Sequence, residues 1–320
     1  KIMNRKEMEN YLTNLNNNRE YFLKFSKYHK ISKINESKNK LAIIDAKGEI
    51  VDGDVFDNNL SSGHFSRLIK KVKKGNYQGL LIRLNTPGGS GFASEIIRQE
   101  IIQLKDLKIP IIVSMADIAA SGGYWISADV DEIWASPFTL TGSIGVWTAL
   151  PDFDESLEDF GINYDGVSTT KFNPSLITGP DDNSKLLIQS VVNSAYEYFL
   201  EVVSNGRNLD KDFTKTISEG KIWTSKEAKA NGLIDEIGSQ RNSLNRLAQL
   251  AKLNDYNFDL IEEEISFLDQ ISLFASDFFP ITINNLINEN LTGPIRSIFH
   301  NKQKIPFDIN LLCLECFKDQ

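Results

Sequence analysis

Gly79-Leu80-Leu81-Ile82-Arg83-Leu84 runs directly into Asn85-Thr86-Pro87-Gly88-Gly89-Ser90. The first six residues open without polar alternation and read as a strand, and the Pro-Gly-Gly that follows reads as a sharp turn. Downstream of the turn, about Phe92–Leu104 has helical spacing and Pro110–Ser114 is a second apolar run. Upstream, His64–Lys74 places Leu68, Ile69 and Val72 on one helical face, and Leu41–Ala46 is a short apolar run closed by Lys47-Gly48. A further helix is expected from Ser121, and Glu132–Ala135 reads as another short strand. Strands alternating with helices at this rhythm predict βαβ units and an α/β fold with a mostly parallel sheet. Beyond it, Leu186–Val203 is a long amphipathic helix, Trp223 to Gly238 a small helix and turn, and Arg241–Leu253 a last helix.

The flanks differ in character. Residues 1–40 are polar and rich in Asn and Lys, with weak helical periodicity through Met8, Tyr11 and Leu12. Residues 254–320 are dense in apolar side chains but interrupted by Asp, Asn and Pro, with Phe267, Leu268, Ile271, Phe274 and Phe278 at helical spacing. Cys313 and Cys316 form one C-x-x-C near the C-terminus. With no His nearby, two ligands are too few for a structural zinc site, so an incidental or local disulfide role is expected.

Composition narrows the function classes. A hydrophobic share of 41% in 320 residues supports a sizeable core. The net charge of −8 argues against a nucleic-acid surface. Lys70, Lys71, Lys73 and Lys74 read as the solvated end of a helix. No run approaches the roughly 20 apolar residues of a membrane span, and no signal peptide is read at the start. The three histidines, His29, His64 and His300, stand far in sequence from any candidate nucleophile and lack metal-ligand spacing. Metal catalysis and a Ser-His-Asp triad are therefore poorly supported, and no cofactor is implied.

Two glycine-bearing segments remain as candidate chemistry. In the Asn85–Ser90 turn, Gly88 and Gly89 bare main-chain N–H groups that an oxyanion can approach, although a structural turn has the same composition. In Met115-Ala116-Asp117-Ile118-Ala119-Ala120-Ser121-Gly122-Gly123-Tyr124-Trp125-Ile126, Ser121 falls at a helix start among small residues. Those neighbours leave room for a substrate backbone, and a helix N-terminus favours developing negative charge. By itself, a serine there is as readily an N-cap.

Taken together, Asn85-Thr86-Pro87-Gly88-Gly89 and Ala119–Ile126 resemble the peptidase family of signal peptide peptidase A. Leu140-Thr141-Gly142-Ser143-Ile144-Gly145-Val146 agrees with it, as does Trp223-Thr224 with Glu227-Ala228 and Gly232–Asp235. The resemblance spans roughly residues 41–253, taken as a catalytic domain between a 1–40 segment and a 254–320 appendage. It implies a fold of repeated β-β-α units like that of Clp protease and crotonase, and a serine peptidase degrading signal peptides or other short hydrophobic peptides. It makes Ser121 the nucleophile, Gly88 and Gly89 oxyanion donors with Gly122 beside the nucleophile, and Ser143 a residue that positions a catalytic lysine. A buried lysine loses solvation of its charged form and can serve as base in place of histidine. Lys171 stands at about the place of that lysine in short members. In long members the lysine comes from an N-terminal repeat, and this chain resembles the C-terminal half of such a member. Ile2–Leu12 faintly echoes Ile237–Leu247, as if a preceding repeat ended there. Either Lys171 is the base or it lies on sequence outside the chain.

The resemblance further implies peptide substrates, self-association, and attachment to the outer, periplasmic face of a cytoplasmic membrane through an anchor outside this sequence. Two alternatives stand beside it: a non-catalytic half acting as scaffold, and an acyl-CoA enzyme of the crotonase type.

Overall fold

The structure, a computed structural model, describes residues 37–54, 59–150, 153–162 and 179–263, together with the backbone of 310–312. Residues 1–36 of the N-terminal segment, Phe267–Phe278 and both cysteines lie outside the described residues.

The central sheet is built from β1 (Lys40–Lys47), β4 (Leu80–Thr86), β6 (Ile111–Ala120), β7 (Glu132–Ala135), β10 (Glu236–Ile237) and β11 (Asn257–Leu260), in the order β10-β7-β6-β4-β1-β11 and parallel throughout. The apolar run at Leu80–Ile82 is fully buried because helices cover both faces. Alternate residues point to opposite faces. On one, Ala42, Ile44, Leu80, Ile82, Ile111 and Val113 meet α1 (Ser62–Lys74) and α2 (Gly91–Asp106) through Phe65, Leu68, Ile69, Ile97 and Ile101. On the other, Leu41, Ile43, Leu81 and Ile112 meet Leu244, Leu247 and Ala248 of α8 (Gln240–Leu250). The mostly parallel α/β architecture is as the sequence predicts.

Several elements differ from expectation. Helix α1 starts before His64 because the Ser61 hydroxyl accepts a bond from the His64 N–H at 3.3 Å and caps it. Strand β6 runs six residues past Ser114. After pairing with β7 as far as Met115, it takes β8 (Leu140–Gly142) as its next partner from Ile118 to Ala120. Between the two it bulges: Leu84 pairs Met115, and Thr86 pairs Ala119. Asp117, which breaks the apolar run in the sequence, is exposed at that bulge. Trp223–Gly238 holds strands as well as a helix: β9 (Ile222–Thr224) pairs antiparallel with β8, α7 (Ser225–Ala230) carries a capping box from Thr224 and Glu227, and β10 joins β7.

A second, smaller sheet sits at the carboxyl end of β4. Here β2 (Ile50–Val51) pairs with β3 (Leu60–Ser61), and β5 (Gly88–Ser90) lies between β2 and the backbone strand β12 (Asn310–Leu312), in the order β12-β5-β2-β3. The remaining helices are α3 (Gly122–Ser127), α4 (Asp154–Glu158), α5 (Asp182–Arg207) and α6 (Lys211–Thr216).

Candidate active site

Two strand ends converge on Ser121. Strand β4 delivers the glycine turn, and β6, lengthened by its bulge, delivers the serine. Asn85 fastens them: its side-chain oxygen accepts the Ile118 N–H at 3.1 Å inside the bulge, while its carbonyl accepts the Gly48 N–H at 3.1 Å. The bulge carries the end of β6 onto β8, where the Ser121 N–H donates to the Gly142 carbonyl at 2.8 Å. Thr141 adds a bond from its hydroxyl to the Ala119 carbonyl at 2.6 Å. Ser143 follows directly, its N–H donating to the Lys221 carbonyl at 2.7 Å.

At Ser121 the backbone turns sharply, with φ 53° and ψ −117°. This is a region that side-chain-bearing residues enter at a cost of about 1–3 kcal/mol, and it is characteristic of strained functional turns. Ser121 stands at the N-cap position of α3, but its hydroxyl caps nothing. Its Oγ is buried and without a hydrogen-bond partner, as is that of Ser143, whose φ is 49°. Neighbouring serines behave otherwise: Ser127 Oγ donates to the Gly123 carbonyl and Ser94 Oγ to the Ser90 carbonyl, each at 2.8 Å. A buried polar group left unpaired costs about 1–3 kcal/mol, so two of them on adjacent segments call for a reason other than stability.

The glycines allow close approach. A Cβ on Gly122 would stand 2.5 Å from Ser94 Oγ and 3.5 Å from the Gly89 nitrogen, which places the residue after Ser121 against the glycine turn. At Gly89, φ is 144° and a Cβ would overlap the Ile50 carbonyl oxygen. Gly88 has φ 115°, and its N–H donates to Thr86 Oγ1 at 3.2 Å. Ser121, Gly122, Gly88, Gly89 and Ser143 are thus gathered in one place, whereas Lys171 lies outside the described residues. No described side-chain nitrogen bonds Ser121 Oγ. The sequence reading missed Asn85 and Thr86 as fasteners of the turn. Both stand in the quoted motif, but nothing in their spacing tells which main-chain group each side chain holds.

Behind the serine, α3 is anchored from three sides. Trp125 Nε1 donates to Glu95 Oε2 at 2.7 Å, and its ring packs on Phe199 at 4.4 Å and edge-on to Tyr198 at 5.6 Å. The Tyr124 hydroxyl donates to the Leu233 carbonyl at 2.7 Å, and burial pushes its ionisation well above the usual tyrosine value. Burial pushes the Glu95 carboxyl up, but hydrogen bonds from Arg98, Gln99 and Trp125 outweigh this and leave it below the usual 4.5. Arg98, nearly buried, pairs with both Glu95 and Asp129.

A partnerless serine on a strained strand-to-helix turn, with a glycine turn alongside, is an arrangement compatible with the class of hydrolases that work through a covalent serine intermediate. Residues 103–254 match Peptidase family S49, and the chain carries a domain of that family. Over 214 residues it is 41% identical to Protease 4 of Haemophilus influenzae, covering 66% of this chain and 35% of that protein. Over 191 residues it is 34% identical to the chloroplastic serine protease SPPA of Arabidopsis thaliana, covering 58% and 27%. A mutant of the 1510-N membrane-bound stomatin-specific protease, solved with a substrate peptide, aligns with a TM-score of 0.46 at 20% identity, over 75% of this chain and 99% of that one. The chain thus spans about a third of the length of the curated relative it matches at 41% identity. The match to a peptidase family favours peptide hydrolysis over the acyl-CoA alternative.

Proposed function

We propose that this chain is a serine endopeptidase acting on extended, apolar peptides, released signal peptides among them, with Ser121 as nucleophile. The observation that carries the reading is the buried, partnerless Ser121 Oγ on a strained turn beside Gly88–Gly89. Ser121 Oγ attacks the peptide carbonyl carbon while a neutral lysine amine takes its proton. Main-chain amides of the glycine turn and of Gly122 hold the oxyanion, and collapse expels the amine product with that proton. Water then hydrolyses the acyl-enzyme by the same route. Thr86 Oγ1 engages the Gly88 N–H in this state, so the Gly89 and Gly122 amides are favoured as donors. Ser143, partnerless on the segment bonded to Ser121, suits the role of holding the lysine.

Lys171 is assigned as that lysine within residues 41–253, the proposed peptidase domain. A lysine from a preceding repeat, of which residues 1–40 would be the end, is the alternative. It is supported by the greater length of the Haemophilus influenzae relative, of which this chain covers 35%. Hydrolysis of a quenched apolar peptide separates the two. Ser121→Ala abolishes turnover. Lys171→Ala abolishes it equally if Lys171 is the base; if the base lies on a preceding repeat, turnover requires that repeat to be supplied and Lys171→Ala then leaves it intact. Turnover that survives Ser121→Ala contradicts the reading.

We further propose self-association, and attachment to the outer face of a cytoplasmic membrane through sequence outside this chain. No helix among the described residues is long and apolar enough to cross a membrane. Helix α5 exposes Leu186, Leu187, Val191 and Tyr198 along an open groove of about 630 Å³ that Ser121 does not line, a surface suited to a second copy. The scaffold alternative retains the same surface but gives no reason for the strained serine.

A further inference from the structure

We infer that Tyr198 of α5 is a positioning residue for Ser121, its hydroxyl fixing the Glu95 carboxylate that holds the Trp125 indole and, through it, the strained serine turn. The inference rests on the peptidase reading, since it takes Ser121 as the group to be positioned.

The backbone of Ser121 is clamped at both ends. Its N–H donates to the Gly142 carbonyl at 2.8 Å, and its carbonyl accepts the Trp125 N–H at 2.9 Å. A residue at φ 53° and ψ −117° stays there only while its surroundings over-determine it. The first clamp belongs to the sheet, where β8 is held between β6 and β9. The second belongs to α3, whose six residues are too few to be stable alone. That clamp therefore depends on what grips the Trp125 side chain. Phe199 and Tyr198 supply ring contacts, and Glu95 Oε2 accepts the indole Nε1–H at 2.7 Å.

Three further groups orient the Glu95 carboxylate. Arg98 bonds it at 2.7 and 2.9 Å and Gln99 at 2.6 Å, both from one turn further along α2. Being on the same helix, they set its direction against α2 and not against α5. Tyr198 does the latter. Its hydroxyl donates to Glu95 Oε1 at 3.0 Å and accepts from Arg98 Nη2 at 3.0 Å, while its ring lies edge-on to Trp125. Burial, with the bond to Glu95, raises its ionisation above the usual tyrosine value, so the hydroxyl keeps the proton that it donates. One side chain thus touches carboxylate, guanidinium and indole at once, joining α2, α3 and α5 behind the nucleophile. Without the hydroxyl, Glu95 loses its tie to α5, the indole loosens, and the Ser121 carbonyl is held less firmly. Small misplacements of a reacting group, caused at a distance, are enough to slow a reaction several-fold.

The test compares the full chain with Tyr198→Phe, which keeps the ring and removes the hydroxyl. The control is Tyr256→Phe, which removes a tyrosine hydroxyl bond of 2.8 Å to Asn245 on the other face of the sheet. In Tyr198→Phe the maximal rate of Ser121 labelling by a fluorophosphonate is expected to fall about fivefold, as for the loss of one net hydrogen bond. The half-saturating probe concentration stays unchanged, because Tyr198 does not touch the probe. Hydrogen exchange of the Trp125 amide should quicken by a similar factor while the amides of β4 keep their rates. Tyr256→Phe alters neither quantity. A purely structural tyrosine would lower the urea midpoint but not the labelling rate per folded molecule. Unchanged Trp125 exchange in Tyr198→Phe, or an unchanged labelling rate where the parent chain labels, overturns the inference. If Ser121 labels in none of the proteins, that counts against the peptidase reading, and the Trp125 exchange alone decides whether Tyr198 holds the turn.

Discussion

At Ser121 two readings of one side chain predict opposite signs. A helix-capping serine replaced by alanine loses about 0.5–2 kcal/mol of stability. A buried hydroxyl with no partner, as found here, costs stability while it is present. Ser121→Ala is therefore expected to raise the unfolding free energy by about 1 kcal/mol, measured by urea denaturation. Ser127→Ala, six residues further on at the end of the same helix and bonded to Gly123, is expected to lower it by about 1 kcal/mol. A loss at both positions would mean that Ser121 is an ordinary structural serine. The sequence made the serine's place legible through its small neighbours and the resemblance, but not its strain. A positive φ depends on where β6 ends, and that is set by the Gly142 carbonyl in a separate strand. Gly89 was legible as a close-approach residue, whereas the partner it approaches, Ile50, was not.

Helix α3 is only six residues long, and it holds Ser121 in place through its neighbours rather than through its own hydrogen bonds. Glu95 on α2 is the polar anchor, accepting from Trp125, Arg98 and Gln99. These bonds keep its carboxyl below 4.5 against the opposing effect of burial. The folded state thus binds this proton less tightly than the unfolded chain does. The contribution is full above about pH 4.5 and is lost as pH falls through the carboxyl's lower, folded value. Stability should accordingly drop more steeply below pH 4.5 in the wild type than in Glu95→Gln, as read from urea midpoints between pH 7 and pH 3. Parallel curves would show that Glu95 is not the anchor. Element identity was legible wherever apolar spacing ran unbroken, as at β1, β4, α1 and α2. It failed at β6, where Asp117 interrupts the pattern yet the strand continues by changing partners, and at β9 and β10, which are too short to carry a period.

For the whole molecule, the alternation of strands and helices is enough to give the parallel sheet and its two covered faces. The second small sheet was not legible. It joins residues 50–51, 60–61, 88–90 and 310–312, segments too short and too distant in sequence to announce their pairing. Yet this sheet places the glycine turn beside Ser121, so the part of the fold least visible in the sequence is the part that assembles the site. The resemblance supplied what periodicity did not, because it links the same residues without passing through their secondary structure. The most direct test of the account is to treat the full chain with a fluorophosphonate and map the adduct by peptide mass spectrometry. A single modification on Ser121, absent after Ser121→Ala, is the predicted result. An unmodified Ser121 in the folded chain, or an adduct on another serine that persists in Ser121→Ala, would contradict it.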